Sequence, residues 1–281
     1  MATRYTIPLL LWLLCLVPAG ISHAAGNVLP ELPDWQVLEF EEKAFWATAR
    51  SRLEIVPVPD DPALWELDVL SSVVANSEQI KVRFDPATGR AVTRSRLSRG
   101  KEQRVKSYEY QATFILRKRR NPAADPALPP DQWPVASSRK VRYPPLEGDA
   151  VVTSPYMLVL LAQRLQAQGE DHTLNVVVHT DLNFYQVRLT SGNGIPIDVN
   201  YQVSGGETVR GRHETLAVAL QVTPVAPAPE EDDFSLLGLQ GDIILFFDRD
   251  SGLPVQVRGV APRIGNTEIN LKSVTMREAG Q

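Results

Sequence analysis

Residues 154–169 read SPYMLVLLAQRLQAQG and predict the one helix that stands out in this chain. Ser154 can cap the first turn, Pro155 suits the first helical position, and Gly169 can end the helix. The segment 156–161 is apolar on nearly every side, so we expect this half of the helix to be buried.

The second half of this helix is predicted to be its polar half, and it carries Gln163, Arg164, Gln166 and Gln168. A lone helix with one buried half needs a surface that covers it, and the apolar face of a curved sheet is the natural partner. The sequence therefore predicts one helix at about 154–168 that packs on such a sheet.

Short runs in which apolar and polar residues alternate occupy most of the remaining chain. Residues 107–116 form the clearest run, because Tyr108, Tyr110, Phe114 and Leu116 would share one face of a single strand. The other predicted strands are 35–45, 50–56, 78–84, 91–97, 174–180, 184–189, 197–203, 215–223, 242–247, 254–260 and 267–275. Turn sequences such as 85–89 and 248–252, each ending in glycine, separate many of them. This pattern predicts a mainly β fold, with a single curved antiparallel sheet or an open barrel packed on one helix.

The first 24 residues have the features of a secretory signal peptide. Arg4 precedes a short apolar run, and the small residues Ser22 and Ala24 occupy the positions that a signal peptidase reads. We expect cleavage after Ala24, which would remove Cys15 and leave no cysteine for a disulfide or a metal thiolate. An uncleaved anchor is the alternative. The prediction is an exported, periplasmic protein with no transmembrane segment after signal cleavage.

Residues 25–281 are interpreted as a single β-rich domain. Two segments, 121–135 and 223–233, are rich in proline, and the second also carries a run of acidic residues. Proline supplies no donor to a β-ladder, and such compositions bury little apolar area. We therefore expect both segments to be surface loops of the disordered type rather than domain boundaries.

Charge is unevenly distributed along the chain. The whole sequence has a formal net charge of −4, yet residues 89–142 hold 14 Lys and Arg against 4 Asp and Glu. The candidate binding residues in this basic tract are Arg104, Lys106, Arg117, Lys118, Arg119, Arg120, Arg139, Lys140 and Arg142. One interpretation is a sheet edge that positive charge protects from aggregation. The other is docking to anionic lipid, to lipopolysaccharide or to an acidic envelope protein. The tract lacks the fold signature of a nucleic-acid-binding protein, so we expect no nucleic acid.

Several features of the C-terminal half occur in a definite order. The helix at 154–168 is followed by Gly169, by strands around 176–178 and 184–187, by a hairpin at 248–257 and by a last strand from residue 265. From about Val152 onward this order resembles the bacterial domain-of-unknown-function family 3108, a group of exported proteins. The resemblance implies a β-sheet wrapped around a helix in the envelope of a Gram-negative cell. It implies no catalytic residue, since the family has no agreed activity.

No catalytic motif, cofactor fingerprint or metal-ligand spacing is found in the sequence, and we expect no cofactor and no metal. His179 and Asp181 are two residues apart, so they would share one face of a strand. They could form a metal site or an acid–base pair, but we expect them to face solvent at the end of the strand. Glu39 and Glu41 would lie on the same face of a strand, and we expect that face to be solvated. The alternative is a glycosidase, which also uses two carboxylates.

These features predict a non-enzymatic periplasmic protein that binds an amphiphilic or anionic envelope ligand in or on a curved sheet. A scaffold or assembly factor for an envelope complex is the first alternative. A hydrolase that uses scattered carboxylates is the second, and it requires Glu39, Glu41, His179 and Asp181 to come together.

Overall fold

The computed structural model describes residues 32–44, 47–101, 103–125, 127–146, 148, 150–225 and 232–277. These residues form seventeen strands and one helix, and the fold class predicted from the sequence is confirmed. The strands are β1 (Trp35–Ala44), β2 (Ala47–Val58), β3 (Asp61–Val73), β4 (Asn76–Phe84), β5 (Ala91–Arg99), β6 (Arg104–Tyr110), β7 (Phe114–Arg120), β8 (Val135–Arg142), β9 (Val152–Thr153), β10 (Thr173–His179), β11 (Phe184–Asn193), β12 (Ile197–Val203), β13 (Thr208–His213), β14 (Thr215–Pro224), β15 (Gln240–Asp248), β16 (Pro254–Ala261) and β17 (Gly265–Met276). The helix α1 (Leu158–Gln166) follows a 3₁₀ turn at Pro155–Met157. The predicted signal peptide and residues 226–231 of the second predicted loop lie outside the described residues.

Fifteen of the strands form one continuous ladder. Strands β1 to β8 pair in sequence as antiparallel neighbours, so the N-terminal half of the chain is a meander. The other side of β1 pairs with the last strand, β17, and the ladder continues through β16, β15, β14, β11 and β10 to β9. Only β9 is parallel to its neighbour in this ladder. The hairpin β12–β13 joins the end of β17 through a short parallel pairing.

Helix α1 lies inside the curve of this sheet and contacts both halves of it. Gln163 accepts a hydrogen bond from Trp35 Nε1 on β1 at 2.6 Å, and its amide donates to the carbonyl of Gly252 at 3.1 Å. The leucines of the helix belong to the largest cluster of buried apolar side chains, which also contains residues of β2, β4, β11, β15 and β17. One sheet can cover a helix from several sides only by bending around it, and burial of its apolar surface favours that bend.

The predicted polar half of the helix is not on the surface, and this prediction is wrong. Arg164 is 3 % exposed and Gln166 is 7 % exposed. Arg164 Nη2 donates to the carbonyl of Pro86 in the turn after β4, at 2.5 Å. The sheet wraps far enough to bury these two side chains. Backbone carbonyls accept from Arg164 Nη2 and from the side-chain amide of Gln163, whereas Nε and Nη1 of Arg164 have no partner among the described residues. The predicted capping hydrogen bond of Ser154 is also missing from the structure, although Gly169 follows the end of the helix with a φ of +104°.

Residues 107–116 are not one strand, as the alternation predicted, but the two arms of a hairpin. Strand β6 ends at Tyr110, and the amide of Gln111 bonds the carbonyl of Phe114, where β7 begins. The turn 111–113 contains neither glycine nor proline, so the alternating pattern runs through it without a visible break. Strands β3, β8, β9 and β13 were not predicted. Strands β8 and β13 are mostly polar and β9 has only two residues, whereas the alternation of β3 at 65–69 is visible in the sequence and was overlooked.

The two faces of the sheet follow from burial and strand register. The concave face carries Leu53, Val69 and Ile80 and packs around the helix, whereas the alternating residues between them form the convex face. Toward one end of the concave face the side chains become small and polar, with Ser51 and Ser71 at neighbouring positions and their hydroxyl oxygens 3.1 Å apart. The core ends at these serines, because hydroxyl groups bury less apolar surface than leucine or valine.

Candidate functional site

Charges on the convex face of β1 to β4 and of β16 and β17 are arranged as complementary pairs across neighbouring strands. In four pairs the two residues lie directly opposite each other in strand register. The pairs are Glu41 with Arg50 on β1 and β2, Glu66 with Arg83 and Asp68 with Lys81 on β3 and β4, and Arg258 with Glu268 on β16 and β17. All four are ion pairs with nitrogen–oxygen distances between 3.0 and 3.4 Å. Opposite charges at such positions stabilise a sheet modestly, so this face carries the charge pattern of an ordinary solvated surface.

The concave face of β5 to β8 has the opposite arrangement. Arg96 lies directly across from Lys106, Lys106 across from Arg119, and Arg117 across from Arg139. Like charges that face each other across a ladder destabilise it. We define the concave cations as the basic side chains that share this face, namely Arg94, Arg96, Arg104, Lys106, Arg117, Arg119 and Arg139. Pairing across the ladder does not explain their grouping, which makes this face the candidate functional site.

Strand register divides the nine candidate residues predicted from the sequence between the two faces. Five of them, Arg104, Lys106, Arg117, Arg119 and Arg139, are concave cations. The other four lie on the convex face, and they are Lys118, Arg120, Lys140 and Arg142. Arg94 and Arg96 are also concave cations, although they were not among the predicted residues. Arg96 and Arg94 lie opposite Ile80 and Val82 on β4, so they share the face of these two buried residues. Pairing the predicted strands 78–84 and 91–97 in this register would have assigned both arginines to the concave face.

Asp181 joins the concave cations to the opposite end of the sheet. Its carboxylate accepts hydrogen bonds from Arg117 Nε at 2.5 Å, from Tyr108 Oη at 2.7 Å and from Lys106 Nζ. We call these four residues the Asp181 cluster. Because Asp181 lies in the turn between β10 and β11, the cluster ties the N-terminal meander to the C-terminal strands through side chains. No sequence pattern indicated this contact, since the partners are 64 to 75 residues apart.

The protonation states within the Asp181 cluster follow from its contacts. Burial disfavours the ionised carboxylate, but hydrogen bonds from Arg117, Lys106 and Tyr108 outweigh it and hold the pKa of Asp181 well below its usual range. Burial raises the pKa of Tyr108 to about 12, so its hydroxyl remains a donor at neutral pH. Burial and the nearby charges of Arg117 and Arg96 lower the pKa of Lys106, although Asp181 opposes them.

Replacement of Asp181 by asparagine is expected to lower the free energy of unfolding by about 2 kcal/mol at pH 7. Lys106 and Arg117 would keep their charges in a half-buried place and lose the only carboxylate that both of them contact among the described residues. Urea denaturation measures the change. The control is Glu109→Gln, which removes the more exposed Lys118–Glu109 pair of the convex face and should cost less than about 0.5 kcal/mol. Equal losses in the two variants would contradict a stabilising role for the cluster.

Arg94 is the most buried of the concave cations, with 5 % of its surface exposed. Its guanidinium donates to the carbonyl of His179 at 2.6 Å and to the carbonyl of Thr180, and its Cζ lies 3.9 Å from the centroid of the Tyr108 ring. Within the described part of the chain its Nε atom has no hydrogen-bond partner. Buried charge without a carboxylate partner is costly, so Arg94 holds positive charge at this place at the expense of stability.

His179 does not face solvent, and the prediction of a solvent-facing pair with Asp181 is wrong. The imidazole is 0 % exposed and lies among the rings of Tyr108, Tyr110 and Phe184, with centroid distances of 5.0 to 5.9 Å. Neither ring nitrogen has a hydrogen-bond partner among the described residues. Burial, with the nearby charge of Arg94, lowers the pKa of His179 well below 6.5, so the ring is neutral.

A partly open groove lies beside this charged region, at the end of the concave face where Ser51 and Ser71 replace the apolar core residues. Its volume is about 750 Å³. Apolar side chains from four parts of the chain line it: Val73, Tyr156, Leu237 and Ile264. Basic side chains along one wall outnumber the two carboxylates, Glu42 and Glu78. Grooves of this size that combine apolar walls with a few charged groups are typical of small-molecule sites.

A smaller cavity of about 230 Å³ lies next to the groove. Both cavities are lined by Arg96, Tyr156 and Ser235, so they are neighbours across these three side chains. The smaller cavity is also lined by Arg94, Lys106 and Thr180, and it is therefore bounded by the concave cations.

The four residues that a hydrolase would need are not brought together. Glu39 lies on the convex face, where it accepts a hydrogen bond from Ser273 at 2.8 Å, and Glu41 pairs with Arg50 on the same face. His179 and Asp181 lie on the concave side. A different pair, His213 Nδ1 with Asp248 Oδ2 at 2.7 Å, was not predicted, and Asp248 also accepts from the amides of its own turn.

In the described residues, no group of three His, Cys, Asp or Glu side chains is placed to hold a metal ion, and no helix is both long and apolar enough to cross a membrane. No family model and no curated protein matches the chain. Among solved structures, the chain is similar to the crystal structure of a beta-barrel-like protein of the domain of unknown function DUF1849 from Brucella abortus. The TM-score is 0.47 with 8 % sequence identity, and the alignment covers 89 % of this chain and 100 % of that chain.

Proposed function

We propose that this chain is a non-enzymatic, exported protein that binds an anionic amphiphile on the concave face of its sheet. The single observation that carries the proposal is the groove of about 750 Å³, which places apolar walls beside the concave cations. An amphiphile presents the same combination, because its tail is apolar and its head carries charge. Apolar area buried in the groove would supply most of the affinity, and the cations would select the head group.

The periplasm is the proposed location. One sequence feature supports it, namely the signal-like residues 1–24. The resemblance of the C-terminal half to family 3108 has no matching family model behind it. Ligands of the proposed class, phospholipids and lipopolysaccharide, are components of the envelope that surrounds this compartment. Native mass spectrometry of protein purified from its own periplasm is the direct test, and a bare polypeptide mass that stays unshifted on incubation with lipid would count against the proposal.

Filling the groove is expected to block binding. Ser71→Trp places an indole between β2 and β3 at the groove, where Ser71 now lies beside Ser51, and should weaken binding of 1-myristoyl-lysophosphatidylglycerol about tenfold or more. The matched control is Leu70→Trp, because Leu70 is the preceding residue on the convex face and is 42 % exposed. Isothermal titration calorimetry with both variants measures the difference. Unchanged affinity in Ser71→Trp would place the amphiphile elsewhere.

A scaffold function is the second candidate, and the outermost strand of the meander favours it. Seven of the eight residues of β8 are exposed, and its convex side carries Lys140 and Arg142. Such an edge can add a strand from a partner, although lysine and arginine at an edge also prevent aggregation. A crosslinked acidic partner that is lost on charge reversal at Lys140 and Arg142, while amphiphile binding persists, would favour this function.

A further inference from the structure

We infer that the smaller cavity is a subsite for the phosphate of the bound amphiphile, and that Arg96 is the residue that selects it. The inference rests on the proposed function and names the head group that the concave face recognises. It has three supports: the arrangement of the cations, the connection between the two cavities, and the excess of positive charge in the lining of the subsite.

The cations converge on this cavity from neighbouring strands. Arg94 and Arg96 come from β5, and Lys106 comes from β6 directly opposite Arg96. Each of the two side chains already contacts a carboxylate, Glu78 for Arg96 and Asp181 for Lys106, and an anion placed between them would lower the repulsion that remains. Cations from different strands approach an anion from different directions. A phosphate can accept hydrogen bonds from all of them, whereas a carboxylate has only two coplanar oxygens, so this arrangement favours a phosphate.

The position of the cavity suits the head of an amphiphile whose tail lies in the groove. Arg96, Tyr156 and Ser235 line both cavities, so a ligand that passes these side chains reaches the apolar groove on one side and the cations on the other. Ser235 and Thr180 also line the smaller cavity, but the hydroxyl of Thr180 already donates to Asp233. The hydroxyl of Ser235 can donate to a phosphate oxygen without adding charge.

The three cations that line the cavity outnumber its two carboxylates, so the lining keeps an excess of positive charge. Asp181 is compensated by Lys106, Arg117 and Tyr108. Asp233 accepts from the hydroxyls of Thr180 and Tyr185, both at 2.8 Å, and from the amide of Asn183 at 2.9 Å.

Arg96 is the most exposed of the three cations that line the cavity, since the side chain of Lys106 is 12 % exposed and Arg94 is 5 % exposed. Its Nε donates to Glu78 Oε1 at 2.5 Å, and 39 % of its side chain is exposed. A planar guanidinium bonded through Nε can still present terminal N–H groups to a ligand. Glu78 therefore acts as a positioning residue for Arg96 and as a competitor for the incoming anion.

The test uses the full protein and three probes: 1-myristoyl-lysophosphatidylglycerol, monomyristoylglycerol with the same tail and no phosphate, and inorganic phosphate alone. The unmodified protein should bind the phosphate amphiphile about tenfold more tightly than the neutral one, with a preference that declines as salt rises. Arg96→Gln should abolish this preference while affinity for the neutral probe stays the same, and Arg96→Lys should restore part of it. Glu78→Gln should strengthen binding of the phosphate amphiphile severalfold, because it releases Arg96.

The matched control is Lys118→Gln, which removes a cation of the convex face and should change none of these affinities. Unchanged binding of the neutral probe shows that each variant is folded. The inference is overturned if the unmodified protein shows no preference for phosphate, or if Arg96→Gln weakens both amphiphiles equally or neither. If neither amphiphile binds but inorganic phosphate binds and depends on Arg96, the proposed function fails and the subsite is one for a free anion.

Discussion

Replacement of Leu161 by alanine is expected to lower the free energy of unfolding by about 3–4 kcal/mol. Leu161 is 0 % exposed and lies in the middle of helix α1, inside the curve of the sheet. A Cβ atom added at Gly89 would lie 2.7 Å from Leu161 Cδ2, so the leucine packs directly on the turn after β4. Removing its isobutyl group therefore loses buried apolar surface and leaves a cavity that both halves of the sheet border. Urea denaturation at pH 7 measures the loss.

The control for this prediction is Leu70→Ala on the convex face of β3, which removes the same atoms from a residue that is 42 % exposed and should cost less than about 1 kcal/mol. Similar losses in the two variants would contradict the central position of the helix. The two proteins should unfold with the same dependence on urea concentration, since neither change alters the surface exposed on unfolding by much.

Stability is expected to fall as the pH drops from about 6.5 to 5, and His179 is the cause. In the folded protein its pKa is depressed, because the ring is buried and lies near Arg94, whereas the unfolded chain binds a proton at its ordinary pKa of 6.5. Between the two pKa values only the unfolded state carries this proton, so acidification favours unfolding. The contribution is complete above pH 6.5 and declines below it by up to about 1.4 kcal/mol per pH unit.

His179→Phe should remove most of this slope, because phenylalanine keeps a ring among Tyr108, Tyr110 and Phe184 and binds no proton. The free energy of unfolding is measured by urea denaturation at several pH values between 5 and 7. Asp181 does not interfere in that window, since its pKa is lowered and its contribution is lost only as the pH falls through about 4. The control is His172→Gln at an exposed position, which should retain the slope. A slope that persists in His179→Phe would refute the assignment.

Local sequence patterns were sufficient for most of the fold. Alternation predicted strands such as β4 and β11, and the apolar run at 156–161 with Pro155 and Gly169 predicted the helix inside the sheet. The same reasoning failed where the deciding interaction is distant. An arginine such as Arg164 is expected on the surface from its sequence context. It is buried because its guanidinium donates to the carbonyl of Pro86, which is 78 residues away in the sequence.

The candidate site was predicted only in part, for the same reason. The basic tract is visible in the sequence, and five of its nine proposed residues share the concave face. Which face each cation takes depends on strand register, and the undetected turn at 111–113 resets that register between β6 and β7. Asp181 and the groove wall around Leu237 and Ile264 come from distant parts of the chain, so no local pattern could assign them to the site.

The position of β1 constrains the order in which the chain can fold. Strands β2 to β8 are synthesised one after another and can pair as successive hairpins during synthesis. The second neighbour of β1, in contrast, is the last strand, β17, whose Val274 pairs with Leu38. The junction between the two halves of the ladder therefore cannot form until nearly the whole polypeptide has been made. Contacts between distant parts of a sequence form slowly, so we infer that this closing step limits the rate of folding. A chain truncated before β17 would have β1 as a bare edge, open to association with other molecules.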